Sequence, residues 1–433
     1  MKKSSLIVSS FLLINPCLAN SVSKTDNIPQ FTISGAAAVH SNFSSPKNRY
    51  YIENPQEADK KDKDSTMPRI SAGEANILFN AKGFLPNGIE YSATVDLEVM
   101  KGATGVDKMY LSFLGRFGII QVGNVKGPDG KSIYSGQQLI GGTTGVDGTV
   151  PHDMDYAAGV ISPICMVGYS SKATKIVYYS PIIHGFQFGI GITPDTKHHG
   201  HNDKSRGTGS SSNGNDDGVF IKGDADKQKP SGRNNVAMSI SHFHDFESKF
   251  STKLAAVLLF EDTRKVKIDD KDVELNNAKA YHLSGTVGYN DKIFVGVGFI
   301  DNGKSRIPKE TVYDYENVRY GNFMSTKDGN AGHAWNVGIR YNLDDKWSFS
   351  SVLHKVQRKV SAGERTKGDM LTFAIDYKVC DGFMLFAEFD HIKTKSCKSA
   401  CEQYNSVFKD AKDKNAIAKQ RCQLFVIGAK VSF

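Results

Sequence analysis

The chain has 433 residues, with 54 basic and 46 acidic side chains, a formal net charge of +8, and 39% hydrophobic and 23% charged residues. No apolar run approaches the about 20 residues that a membrane-spanning helix needs; the best stretch beyond the N-terminus, 254–260 (LAAVLLF), is far too short. Composition therefore excludes a helical membrane protein and leaves two classes, a secreted soluble β protein or a chain whose lipid-facing surface is hidden in alternation.

The N-terminus reads as a secretory leader. Lys2 and Lys3 form a basic start, 6–14 is a short apolar core, and Cys17-Leu18-Ala19 is a small-residue cleavage site. Residues 1–19 are thus expected to be removed, leaving 20–433 as one domain with a net charge of +6. Pro16 before Cys17 disfavours lipid attachment there.

Period-two alternation then recurs along the chain. In 89–99, Ile89, Tyr91, Ala93, Val95, Leu97 and Val99 share one face, and Glu90, Ser92, Thr94, Asp96 and Glu98 the other. Seven short connections carry turn residues: 85–88 (LPNG), 115–118 (GRFG), 181–185 (PIIHG), 245–248 (DFES), 289–291 (YND), 343–345 (LDD) and 379–382 (VCDG). Between them lie eight longer polar stretches, 41–68, 100–107, 124–173, 194–233, 261–277, 302–333, 358–369 and 394–422. Short and long connections alternate strictly, which predicts sixteen strands with both termini on the short-turn side. The last strand, 423–433 (QLFVIGAKVSF), puts Phe425, Ile427, Ala429, Val431 and Phe433 on one face and Lys430 on the other. Aromatic residues gather at strand ends, as in Tyr281 with Tyr289 and Trp347 with Phe349. The pattern predicts an all-β, 16-stranded antiparallel transmembrane β-barrel, wide enough at this strand count for an aqueous channel. A soluble sandwich would share the alternation of single strands but not the strict alternation of connections.

With this topology, several segments resemble the Gram-negative trimeric porin family, whose members are outer-membrane general diffusion porins. The segments are 81–83 (AKG) with 85–96 (LPNGIEYSATVD), 108–115 (KMYLSFLG) with 117–123 (FGIIQVG), 175–188 (KIVYYSPIIHGFQF), and the C-terminal Phe433, which resembles the family's assembly signal. The resemblance implies a homotrimer in the outer membrane, in contact with its lipid and lipopolysaccharide, passing small hydrophilic solutes and ions. It also implies that the long stretch 124–173 is the family's third loop, folded into the pore, with Asp147, Asp153 and Asp155 supplying negative charge at the constriction and Gly141, Gly142 and Gly145 permitting tight bends.

On the facing wall the family carries arginines. Lys108 stands at one such place, but Leu78, Asn124 and Val177 stand at others, and Tyr179 stands where an acid is common. Asp96 and Glu98 join a mixed lumen-facing set that includes Lys82, Glu90, Arg340, Asp376, Glu388 and Asp390. Three basic positions lost against acids kept gives a weak lean to cations. Alternatives are a substrate-selective channel of the same fold, or a surface antigen or adhesin that presents long loops.

Nothing in the sequence points to catalysis, a cofactor or nucleic acid. His198, His199 and His201 lie in a Gly/Ser/Asn/Asp-rich stretch without fixed spacing, so no metal site is expected. Cys165, Cys380, Cys397, Cys401 and Cys422 remain after leader removal, with one pair expected among the last three in an oxidising compartment.

Overall fold

A computed structural model describes residues 29–50, 68–98, 105–147, 160–196, 232–246, 249–268, 271–310, 327–407 and 417–433. The strands are β1 (Gln30–Tyr50), β2 (Pro68–Phe84), β3 (Glu90–Glu98), β4 (Gly105–Gly115), β5 (Gly118–Asn124), β6 (Thr174–Tyr179), β7 (Phe186–Asp195), β8 (Gly232–Asp245), β9 (Phe250–Thr263), β10 (Val266–Ile268), β11 (Lys271–Val273), β12 (Ala278–Tyr289), β13 (Ile293–Asp301), β14 (His333–Asn342), β15 (Trp347–Ser361), β16 (Glu364–Cys380), β17 (Phe383–Lys395) and β18 (Ile417–Ser432). Sixteen of them close into an antiparallel barrel, and β10 pairs with β11 as a separate hairpin in one long connection.

Every barrel strand pairs with its neighbour in sequence, and β18 returns to β1. That seam runs in continuous register from Ala36 opposite Ser432 to Arg49 opposite Lys419. At its end Phe433 and Gly35 exchange both backbone hydrogen bonds, at 2.9 and 3.0 Å. Closure matters because an unpaired backbone group facing hydrocarbon costs several kcal/mol.

The outward face is a lipid surface. Phe186, Phe188, Ile190 and Ile192 alternate outward on β7, Leu254, Leu258 and Phe260 on β9, Val337 and Ile339 on β14, and Phe425, Ile427 and Val431 on β18, all exposed. The inward partners are small or polar, such as Ser239 and Ser241, Asn336, Thr372 and Asp376. Aromatic pairs mark both rims: Phe250 with Tyr289 and Trp347 with Tyr377 near the short turns, Tyr281 with Phe299 near the long connections. No helix among the described residues is long and apolar enough to cross a membrane.

All seven short connections fall between consecutive strands as the turn residues predict. The long connections depart from plain loops in more than one place: β1 runs on through 41–50, and β10 and β11 occupy part of 261–277. The stretch 358–369 is not a loop: β15 and β16 extend through it and meet at Ala362-Gly363, with Lys359 opposite Arg365. Arg365, Lys367 and Asp369 point outward and are exposed, while Val356, Arg358, Val360 and Met370 point inward and are buried. High above the lipid a strand inverts its usual pattern, so its composition imitates a loop. The stretch 394–422 contains a helix, α2 (Lys398–Val407), and β18 begins at Ile417. Among the described residues no disulfide joins Cys397, Cys401 and Cys422, so the expected pair is not formed.

Candidate functional site: the lumen and the segment across it

Between β5 and β6 the described residues 125–147 and 160–173 run across the inside of the barrel. The segment starts with a short helix, α1 (Pro128–Lys131), followed by 3-10 turns at Gly136–Leu139 and Gly145–Asp147. Its polar groups contact successive strands of the wall. The Ser132 hydroxyl meets that of Ser239 on β8 at 2.9 Å, and the Tyr134 amide donates to Ser284 on β12 at 3.0 Å. Gln137 bonds Asn336 on β14 through its amide and His354 on β15 through its side chain, at 3.3 and 2.6 Å. The Gly141 amide donates to Ser350 on β15 at 2.9 Å.

The far end is held by two wall carboxylates. The Gly142 amide donates to Asp376 at 2.8 Å, and Asp376 also accepts from Arg340 at 3.3 Å. The Thr143 amide and hydroxyl donate to Glu388 at 2.7 and 2.6 Å, with the Gly145 amide at 3.4 Å. Gly142 and Gly145 take φ of +62° and +58°, a turn that brings the Thr143 and Gly145 amides to the same Glu388 carboxylate. The approach is close: a methyl on Gly136 would overlap the backbone of Gly338 on β14. Asp376 and Glu388, predicted as lumen-facing acids, thus anchor the segment and do not present free charge.

Beyond this latch the lumen is apolar. Val146, Val160, Ile161 and Met166 of the segment pack on Val257 and Leu259 of β9, Ile300 of β13, Val356 of β15, Met370 of β16 and Ile392 of β17. Arg306 and Glu261 form a buried ion pair beside this core at 2.8 Å. The inner wall from β8 to β17 is therefore covered. The opposite wall stays half-open: Leu78, Asn80, Ser92, Tyr110 and Ser112 on β2–β4 keep intermediate exposure.

The predicted site residues divide accordingly. Asp96 and Lys108 face each other across β3 and β4, joined at 2.6 Å, and Lys108 also reaches Asp107 at 3.5 Å. Leu78 sits opposite Asp96 on the same inner face. Glu98 keeps that parity and is exposed near the outer end of β3. Val177 faces inward but is fully covered by the segment, packed with Val125 and Tyr179. Asn124 ends β5, is buried, and accepts from Thr174 at 2.7 Å. Asp147 ends a 3-10 turn. Asp153 and Asp155 lie outside the described residues, as do His198, His199 and His201. Phe433 projects outward at the short-turn rim, 66% exposed.

Sequence reasoning missed Lys131. It sits on α1, donates to Gln121 of β5 at 2.7 Å, and lies over the Tyr110 and Tyr179 rings at 5.9 and 5.8 Å. Among the described residues no carboxylate pairs with it. Burial, with Lys108 and Lys126 nearby, lowers its ammonium to a pKa of about 8. A search of this segment for acids passes over the cation that the fold turns toward the open wall.

Known proteins agree with this architecture. OmpT of Vibrio cholerae, an outer membrane protein, superposes with a TM-score of 0.52 at 12% identity, covering 96% of this chain and 100% of that one. The outer membrane channel DcaP of Acinetobacter baumannii gives 0.52 at 12% identity, with 95% and 99% covered. An anion-selective porin from Comamonas acidovorans gives 0.52 at 12% identity, with 94% and 100% covered. At such identities these likenesses show the fold alone. No curated protein matches the sequence. The description of the Gram-negative porin family, by contrast, matches residues 11–396, nearly the whole chain. With a closed sixteen-stranded barrel behind that match, the chain belongs to the Gram-negative porin family.

Proposed function

We propose that this porin is a passive channel for small hydrophilic solutes and ions, without enzymatic chemistry, and that it works as a homotrimer in the outer membrane after loss of residues 1–19. The observation that carries the reading is the pairing of an apolar outer face with a polar lumen that one internal segment narrows on one side. The passage then follows β2–β4, the wall left half-open. A trimer is supported by the resemblance in sequence and by a structural neighbour recorded in a trimer form, the in-vitro folded OmpT of Vibrio cholerae.

Charge along that passage favours anions, in place of the weak cation lean of the sequence. Lys108 is balanced by Asp96, and Asp376 and Glu388 are occupied by backbone amides and Arg340, which leaves Lys131, with Lys126 near it, as a cation without a carboxylate among the described residues. Asp153 and Asp155 would oppose it if they reach the constriction. The apolar packing around Ile161 and Met370 supports a second reading, a narrow barrel that chiefly presents its outer loops.

Recording in planar bilayers decides between them. Stepwise conductance with an anion-directed reversal potential in a KCl gradient is expected. A folded protein that inserts without conductance would leave the loop-presenting reading.

A further inference from the structure

Both ends of the internal segment meet at one buried ammonium. Lys175 lies on the inner face of β6, opposite Gly123 of β5, and is 2% exposed. Its Nζ donates to the carbonyls of Val125, Ala173 and Ser171 at 2.7, 2.8 and 2.9 Å, with that of Ser170 at 3.3 Å. Val125 is where the chain leaves β5, and 170–173 is where it returns to β6. One side chain therefore ties the departure of the segment to its return.

The return is bent to suit this contact. Ser171 takes a φ of +43°, a conformation that a residue other than glycine keeps only where its surroundings enforce it. The Ala173 amide closes the turn on the Ser170 carbonyl at 3.0 Å. Buried carbonyls need donors, and here one ammonium serves four. A second contact joins the return to α1: Asp129 Oδ2 accepts from the Ser170 amide and hydroxyl, both at 2.8 Å. The Gly127 carbonyl, just beyond Val125, accepts the Gly130 and Lys131 amides, both at 3.0 Å. Lys175 thus sets where α1 starts, and with it where Lys131 meets Tyr110 and Tyr179.

Carbonyl oxygens gathered around one small monovalent cation are how a potassium filter replaces the ion's hydration shell. An ammonium group is close to potassium in size. Lithium is too small to touch all four oxygens at once, and a guanidinium presents its donors in a flat fork. We infer that Lys175 is the resident cation of a monovalent-ion cage, and that it is a positioning residue for Lys131, through which the cage governs the selectivity of the passage. The inference rests on the anion-favouring channel reading above and adds the group that holds its cation in place.

The test uses the full-length barrel in LiCl, KCl and NH4Cl at mildly acidic pH, where Lys131 is charged. Proteolytic nicking within 125–173 and reversal potential in bilayers are both read against wild type in the same salt. In LiCl, K175M should be nicked about tenfold faster than wild type, and its reversal potential should move toward cations. KCl or NH4Cl should restore both, because the emptied cage takes up an ion of the size of the lost group. K175R should be displaced in all three salts. D129N, which loosens the return but keeps the ammonium, should be displaced equally in all three. K175M indistinguishable from wild type in LiCl would overturn the inference, as would equal displacement of K175M in the three salts or wild-type behaviour of K175R. If K175M assembles in none of the salts, K175Q takes its place; displacement in every salt is then expected, and wild-type nicking overturns the inference. Nicking reports on the root of the segment whether or not the channel is selective, so failure of the channel reading and failure of the cage are distinguishable.

Discussion

Thr143 and Glu388 meet across the lumen, the threonine donating to the carboxylate through both its amide and its hydroxyl. One side chain of the wall thereby fixes the height of a segment that lies 245 residues earlier in the chain. Bonds to a charged acceptor contribute about 1.5–3 kcal/mol each when both partners are shielded from water. Glu388→Ala should therefore release the far end of the segment. We expect larger and noisier single-channel conductance, and faster proteolytic nicking within 125–173. Glu388→Gln, which keeps an acceptor, should fall between. Conductance and cleavage identical to wild type in Glu388→Ala would remove the latch.

A steric wedge should act like the lost latch. Gly338→Val places its side chain where the Gly136 backbone lies, so the segment cannot seat against β14. Conductance should rise as in Glu388→Ala while heat-resistant barrel mobility in gels is kept. If mobility is lost as well, the barrel itself has been damaged and Gly296→Ala becomes the milder probe of the same contact.

Lys131 gives the pH dependence its sign. Its ammonium, lowered to about 8 by burial and neighbouring lysines, is charged at pH 6.5 and largely neutral at pH 9.5. Reversal potentials in a KCl gradient should move toward cations as pH rises through that window. Lys131→Gln should show the high-pH value throughout, and Lys131→Glu should lie further toward cations. A pH response that persists in Lys131→Gln would assign the effect to another group.

Lys108 and Asp96 make a rescue experiment. The Asp96 side chain is 4% exposed, so Lys108→Met leaves a shielded carboxylate without its cation, a loss of about 1–3 kcal/mol. Lys108→Met should lower the unfolding temperature, and the double change with Asp96→Asn should restore most of it. Selectivity should change less than in Lys131→Gln, because the pair is neutral as a unit. An additive double variant would mean the two groups do not interact.

Phe433 closes the seam on Gly35 through two backbone hydrogen bonds and extends the outward stripe of β18. Removal of the last few residues, or Phe433→Ala, should reduce assembled barrel in the outer membrane much more than substitutions within 207–215. Surface levels measured in parallel decide it.

Much of this was legible in the chain. Gly88, Asn290 and Gly382 mark turns because few other residues adopt their backbone conformations, and the alternation in 89–99 sets both faces of β3. The hairpin at Ala362-Gly363 was not, since above the lipid Lys355 and Lys367 face water while Val356 and Met370 face in, and composition without register looks like a loop. Lys131 was invisible for a different reason. Its role comes from Tyr110, Gln121 and Tyr179, which local sequence does not bring beside it.

The packing inside the lumen also constrains how this molecule is made. Val146, Ile161 and Met166 find their apolar partners on Ile392 and Ile417, and Thr143 finds its anchor on Glu388, all in the last strands to be synthesised. The start of the segment has its partners on β8 to β15, but its far end lacks its anchor until β17 arrives. Seating of that far end therefore depends on contacts of very high sequence separation, which makes it a late step of folding.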